Sequence, residues 1–433
     1  MTMETFLHKI NNILWGIPMI SLLLGIHLFF TFKLTFIQKN IFKSIKMSFK
    51  NNNSNSKTSA FSTLSTTLAA TLGTGNIVGV STAIALGGPG AVFWCWITGV
   101  LGMATSYAEC YLGIKYRIKK NNTYYGGPMY ALEYGVHNKF LAIIFAFCTI
   151  LASFGVGCTT QSSSISSSIS NIFHVSPHIT GIIFALLCGF VIIGGFNSIS
   201  NICTKLVPSM ALFYIMGCFT ILFINRHYLI NSISLIIYSA FKPTALAGGL
   251  IASNVTRAIR YGVSRGLFTN EAGLGSTPIT ASIADSHPIK EQSLISMSAT
   301  FWDTVIMCAI TGMTIVSTFL SGNYNLNNIN NTDLVTVSFQ SIPIIGDTFL
   351  SISLIAFAFA TLIGWFAFGE KCFEYLFGNK HLDIYKIIYI IMIYVGAIIS
   401  LDVVWEMCDL FNALMAIPNI ISLIILRNQI QKY

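Results

Sequence analysis

Apolar residues in this chain come in blocks of about twenty, the length an α-helix needs to cross roughly 30 Å of hydrocarbon. Eleven such blocks can be marked: 12–32, 59–86, 91–114, 140–169, 179–196, 202–224, 256–284, 293–319, 348–377, 384–399 and 403–425. In lipid, only helices and closed barrels satisfy their own backbone N–H and C=O groups, and blocks this long read as helices. Charged residues are 9% of the 433, while apolar ones are 54%. Soluble domains carry about 25% charge, so this chain lacks the polar surface that a soluble protein of its length needs. The expectation is an all-α polytopic membrane protein with about eleven spans.

The 24 Lys and Arg are unevenly spread. With the amino terminus outside, the cytoplasmic segments hold Lys33, Lys39, Lys43, Lys46, Lys50 and Lys57, five residues in 115–139, Lys205, Lys290, three in 371–386, then Arg427 and Lys432. Together these are 18 of the 24, and the outer loop 321–347 has none. This is the positive-inside asymmetry. It places the carboxyl terminus in the cytoplasm, fits the cell membrane, and accounts for the net charge of +9 without a nucleic-acid partner. In the basic connector, Phe32, Phe36, Phe42 and Phe49 fit a helix lying on the membrane surface, with a solvated linker as the alternative. Arg257, Arg260 and Arg265 fall on the outer side, where they line a vestibule, pair within an outer half-helix, or draw in a carboxylate substrate.

Enzyme chemistry has little to stand on. The ten cysteines include no CxxC pair, so neither a zinc site nor a disulfide framework is indicated. The eight histidines are scattered, and neither HExxH nor GxSxG occurs. No cofactor beyond a coupling ion is expected.

Two spans are interrupted. One contains TLGTGNIVG (71–79) and the other GLFTNEAGLGSTP (266–278). Glycine and proline weaken a helix, and the second stretch also places Glu271 in an otherwise charge-poor span. From residue 59, five spans run to 224 and five more begin at 256, each set opening with its interrupted span. An odd number of spans per half inverts one half relative to the other, the pattern of secondary transporters with a midplane site. The expected division is 1–58 (an extra amino-terminal span and basic connector), 59–225 (first repeat, broken at 71–79), 226–255 (outer connector), 256–427 (second repeat, broken at 266–276) and 428–433 (tail). An opened helix offers N–H groups to a carboxylate at one half-helix and carbonyls to a cation at the other. Thr74 and Gly75 would supply amides; the carbonyls of Ala69 and Leu72 and the side-chain oxygen of Asn76 would suit sodium. A channel also builds pores from broken helices, and accumulation against a gradient distinguishes the two.

GTGNIVGV (73–80), GGPGAVFWCW (87–96), YGGPMYAL (125–132) and RGLFTNEAGLGSTP (265–278) resemble the alanine or glycine:cation symporter family, in its order and spacing from about residue 12 to the carboxyl end. The resemblance implies a LeuT-like core of five plus five helices preceded by one extra helix. It implies sodium-coupled, or in some members proton-coupled, uptake of alanine and glycine by a carrier read as working as a monomer. It implicates Thr74, Gly75, Asn76, Gln161, Phe268, Thr269 and Trp365 in binding substrate. Gln161 is also open to a structural reading, because a buried amide needs a hydrogen-bond partner. Trp365 is open to plain packing, or with Phe268 to closing a pocket that admits only a small side chain. A LeuT-like ion site sets Ala69 and Leu72 carbonyls against Ala360 and Thr361. Asp303, an intramembrane carboxylate, is either an ion ligand or a partner for Asn76. Glu271 either touches substrate or holds the second break open, and the latter is expected. Thr269 and Thr277 stand where the family more usually has Ser and Ala, and Cys95 where it commonly has methionine. The preference among alanine, glycine and serine is open.

Overall fold

The computed structural model describes residues 10–11, 14–50, 58–120, 123–242, 254–322, 334–399 and 401–433. Lys9 and Lys57, residues 12–13 at the start of the first predicted span, 243–253 of the outer connector and 323–333 of the uncharged loop lie outside them. Among the described residues, the one sheet is a hairpin of β1 (Ile118–Lys120) and β2 (Thr123–Tyr125), and helices make up the rest of the regular structure.

The chain runs through α1 (Ile17–Lys33), α2 (Ile41–Ser48), α3 (Ala60–Thr71), α4 (Val78–Gly87) and α5 (Gly90–Lys115). After the hairpin come α6 (Lys139–Phe173), α7 (Pro177–Ile193), α8 (Gly195–Ile224) and α9 (Leu229–Phe241). The second half has α10 (Val255–Asn270), α11 (Thr277–Ala281), α12 (Ile289–Ser321), α13 (Leu334–Phe339), α14 (Gly346–Phe377), α15 (Leu382–Ile398) and α16 (Leu401–Ile425). Among the described residues, six helices are long and apolar enough to cross a membrane, or eight if each of two bent pairs is one span. The shorter α7, the broken α10–α11 and α16 occupy the remaining places expected from the eleven blocks. Ile182, Leu186 and Phe190 on α7 and Ile387 and Ile391 on α15 are exposed. Such a large apolar perimeter has hydrocarbon as its solvent.

The first interruption is short. Leu72 leaves the helix at ψ 79, Gly73 is extended, and Thr74–Asn76 forms one 3₁₀ turn. The Gly73 N–H, having lost its helical partner, donates to Asn76 Oδ1 at 3.0 Å. The chain turns by 63° across this point. The second interruption begins at Glu271 rather than at Gly266. Glu271 (φ 55), Gly273 (φ 91) and Gly275 (φ 86) take left-handed conformations, which end α10 before Pro278 opens α11. Gly266 belongs to α10 and serves close packing: a Cβ there would collide with Thr98 Oγ1 on α5.

Other segments differ from the sequence expectation. The outer connector contains α9, anchored where the Trp94 indole donates to the Ala240 carbonyl at 3.1 Å. The basic connector contains α2, bent 69° from α1, with Phe42 and Phe49 exposed. Buried Ser44 ties α2 to the Leu294 carbonyl at 2.6 Å, so residues 41–48 are a packed amphipathic helix and not a linker. Two long helices widen into π-type turns, Gly155–Thr159 in α6 and Phe301–Cys308 in α12. Such turns are frequent at functional sites.

Candidate substrate and ion site

Four helices converge on the first break. From α14, Thr361 Oγ1 lies 3.1 Å from the Ala69 carbonyl and 3.4 Å from that of Leu72, while donating also toward Phe357 O at 3.0 Å. Close approach is possible because Gly364, one turn on, faces the Ala70 backbone, where a Cβ would sit 2.5 Å from its nitrogen. From α6, Gln161 Oε1 accepts from Thr74 Oγ1 at 3.2 Å, and its amide donates to Val156 O at 3.1 Å in the π turn. From α12, Asp303 Oδ1 accepts from Asn76 Nδ2 at 2.6 Å and Oδ2 accepts from Thr304 at 2.6 Å. From α10, Phe268 and Thr269 cover Gly75: a Cβ on Gly75 would lie 3.0 Å from Thr269 Cγ2 and 3.6 Å from Phe268 Cδ1.

The predicted residues therefore meet. Thr74, Gly75, Asn76, Gln161, Phe268 and Thr269 share one cluster, and Ala69, Leu72 and Thr361 form an oxygen-lined corner beside it. Trp365 is fully buried and is joined to the cluster through α6. A Cβ on Gly157 would fall on its side chain. Its indole N–H makes no well-formed hydrogen bond, although the Glu271 carboxylate lies nearby. Asn76 Oδ1, predicted as an ion ligand, already accepts from Gly73, and the Asn76 amide engages Asp303. Asp303 thus has the partner role that was one of its two readings.

Among the described residues, neither the Thr74 nor the Gly75 N–H donates to a backbone carbonyl. These are two buried amides without a backbone partner, which is what a carboxylate needs. Glu271 accepts from Ser276 across the second break, so its carboxyl is bonded within the loop. Arg257 and Arg260 are exposed, whereas half-buried Arg265 lies over the Phe268 ring, 5.9 Å from its centroid.

Sequence reasoning passed over a second polar contact. Buried Glu109 on α5 accepts from Asn419 Nδ2 on α16 at 2.6 Å, and the same amide donates to Gly273 O in the second break at 2.9 Å. An intramembrane glutamate was signal enough to single out Glu109. Arg117, just past α5, donates to the Ser282 and Ala284 carbonyls at 3.0 and 2.5 Å, capping the chain beyond α11. Burial lowers the Arg117 pKa, with Tyr124 and Asp285 opposing that shift. An apolar recess of about 280 Å³ on the flank of α3, lined by residues such as Leu64, Leu68, Pro208 and Trp302, offers almost no polar groups for a zwitterion.

The model of the sodium:alanine symporter family matches residues 1–433. The chain belongs to that family. It is 41% identical to the sodium/alanine symporter AgcS of Methanococcus maripaludis over 98% of this chain and 95% of the relative. It is 42% identical to an uncharacterized transporter of Haemophilus influenzae, over 99% and 95%. A probable sodium/glutamine symporter of Bacillus subtilis, GlnT, is 34% identical over 96% of this chain and 87% of its own length. Among solved structures, a sodium-coupled sialic acid symporter superposes with a TM-score of 0.53 at 14% identity, covering 93% of this chain and 82% of that one. A manganese transporter of Eremococcus coleocola gives 0.53 at 12% identity, over 82% and 74%. Likenesses this remote speak for the fold alone. The protein is an all-α, multi-pass membrane protein of the broken-helix transporter type.

Proposed function

We infer that this chain is a secondary active transporter that carries small neutral amino acids, alanine and glycine first, together with sodium by alternating access. The observation that carries the reading is the meeting of Thr361 Oγ1 with the Ala69 and Leu72 carbonyls, next to the Thr74 and Gly75 amides that lack a backbone partner. Sodium prefers hard oxygen ligands, and these three groups supply neutral ones. The Thr361 hydroxyl would turn its lone pair toward the ion, releasing its hydrogen bond to Ala69. With the ion on the carbonyl end of the break and the carboxylate on the amide end, each stabilises the geometry the other needs. Coupling of that kind is reciprocal.

Gln161 and Thr74 orient the carboxylate end, and Asn76, held by Asp303, keeps the turn in shape. Thr269, Phe268 and Trp365 wall the side-chain end. A wall is a sharper size filter than added apolar contact, since one methylene in an open pocket is worth about 1–3 kcal/mol. The resulting carrier sits in the cell membrane with its amino terminus outside and its carboxyl terminus inside. It acts as a monomer, with the two halves 59–225 and 256–427 as its inverted repeats.

Radiolabelled alanine uptake into proteoliposomes under imposed sodium or proton gradients tests this. Accumulation driven by inward sodium is expected. Uptake indifferent to sodium but driven by protons overturns the sodium assignment, and downhill flux without accumulation favours a channel.

A further inference from the structure

At the end of the bundle where α14 leaves the membrane lies a cavity of about 380 Å³, distinct from the central cluster. Its polar wall includes Tyr125 of the hairpin, Asn197 at the start of α8, Asp285 beyond α11, and Glu370, Lys371 and Glu374 on α14. It reaches from Thr58, just before the first broken helix, to Ile283, just after the second. Both broken helices therefore have one end at its rim.

The charges are unexpected. This face carries most of the chain's Lys and Arg, yet three carboxylates gather in one recess. The one lysine in the lining is already engaged: Lys371 Nζ lies 2.8 Å from Glu374 and over the Tyr125 ring at 4.8 Å. Nearby Arg117 donates to the Ser282 and Ala284 carbonyls, and its charge also reaches Asp285. Lys386 on α15 is paired with Asp383 at 3.3 Å, and the charges of Lys371 and Lys386 also reach Glu370. Glu370, by contrast, is only 5% exposed and accepts no hydrogen bond among the described residues. Asp285 Oδ1 is buried and likewise without a hydrogen-bond partner. Glu370 and half-buried Asp285 thus line the cavity with oxygens that no donor claims, their charge only partly offset by Lys371, Lys386 and Arg117, and a further cation would complete their surroundings.

We propose that this cavity is a cytoplasmic release site in which Glu370 and Asp285 bind a small monovalent cation, either the ammonium head of the departing amino acid or the coupling sodium. The proposal rests on the symport reading and orientation given above. Negative potential in a low-dielectric mouth concentrates cations there. It gives the leaving cation a weak intermediate stop before bulk water. Lys371, shared between Glu374 and Glu370, offsets only part of the charge of the three carboxylates.

The test compares right-side-out and inside-out membrane vesicles carrying the parent chain, Glu370→Gln or Asp285→Asn. Half-saturating alanine and half-saturating sodium are measured at each face. Expected for both variants is a rise of about three- to tenfold in a cytoplasmic-face constant, with the outer-face constants unchanged. A shift confined to alanine assigns the ammonium, and one confined to sodium assigns the ion. Glu370→Asp, which keeps the charge, should restore most of the effect, excluding a folding defect as its cause. Unchanged cytoplasmic constants, or equal shifts at both faces, overturn the proposal. Failure of the parent chain to accumulate alanine with sodium would instead count against the symport reading, so the two failures are separable.

Discussion

Replacing Thr361 by valine removes one hydroxyl and keeps the volume of the side chain. In this structure the hydroxyl lies 3.1 Å from the Ala69 carbonyl, 3.4 Å from that of Leu72 and 3.0 Å from Phe357 O in its own helix. The last contact is a local one, and losing it should barely change stability. The consequence falls on the ion. Losing a polar contact to a charged group costs about 1.5–3 kcal/mol, which corresponds to about a 10- to 150-fold rise in half-saturating sodium. Because coupling is reciprocal, the alanine constant should rise at limiting sodium and return toward the parent value when sodium saturates. Thr361→Ser, which keeps the oxygen, should lie within a few-fold of the parent. The assay is initial-rate alanine uptake in proteoliposomes as a function of external sodium. A folded Thr361→Val protein with an unaltered sodium dependence would refute the assignment of this corner to the ion.

Three further perturbations probe the surroundings. Gly75→Ala sets a methyl 3.0 Å from Thr269 Cγ2 and 3.6 Å from Phe268; competition between glycine and alanine should then show alanine uptake falling more than glycine uptake. Gly157→Ala drives a Cβ into the Trp365 side chain, an overpacking expected to cost about 1–3 kcal/mol and to lower the melting temperature in detergent. Asn419→Ala leaves Glu109 and the Gly273 carbonyl without their shared donor, a loss of about 1–3 kcal/mol. Combining it with Glu109→Ala should recover part of that loss in a double-mutant cycle.

Much of this architecture was legible because lipid makes hydropathy a strong signal: an unpaired backbone is so costly there that long apolar blocks have few alternatives to helix. The first break could be read almost to the residue, since Gly73 precedes the turn at Thr74–Asn76 and Gly75 lies within it. The start of the second break could not be read in the same way. Gly266 allows α10 to cross α5, while Gly273 and Gly275 turn the chain, and composition alone does not tell a packing glycine from a turning one. Helix α9 was passed over because its 13 residues are too few for a span, although they are apolar. The π turns before Gln161 and around Asp303 have no sequence signature, yet they decide which way those side chains face. Asn419 meets Glu109 across 310 positions of chain, a pairing that local pattern cannot reveal.

The two breaks are held by different means, and that difference bears on how the site works. Glu271 and Ser276 bond within one loop, and the Asn270 side chain caps the Ala272 N–H at 2.9 Å. The second break is therefore held mostly by its own residues, with one outside tie from Asn419 on α16 to the Gly273 carbonyl. The first is held from outside, by Gln161 on α6, Asp303 on α12 and Thr361 on α14. Its half-helices can change their angle only if those three contacts adjust, and two of them involve groups assigned here to substrate and ion. The halves are also matched in pairs. Thr67 on α3 and Thr280 on α11 share a hydrogen bond of 2.6 Å, while α4 packs against α10. The α3 and α11 halves of the two broken helices are thus tied to one another, with Gly75, Phe268 and Thr269 where this pair meets α4 and α10. In such an arrangement a ligand at the first break biases both broken helices together, because α3 cannot tilt without straining its bond to α11.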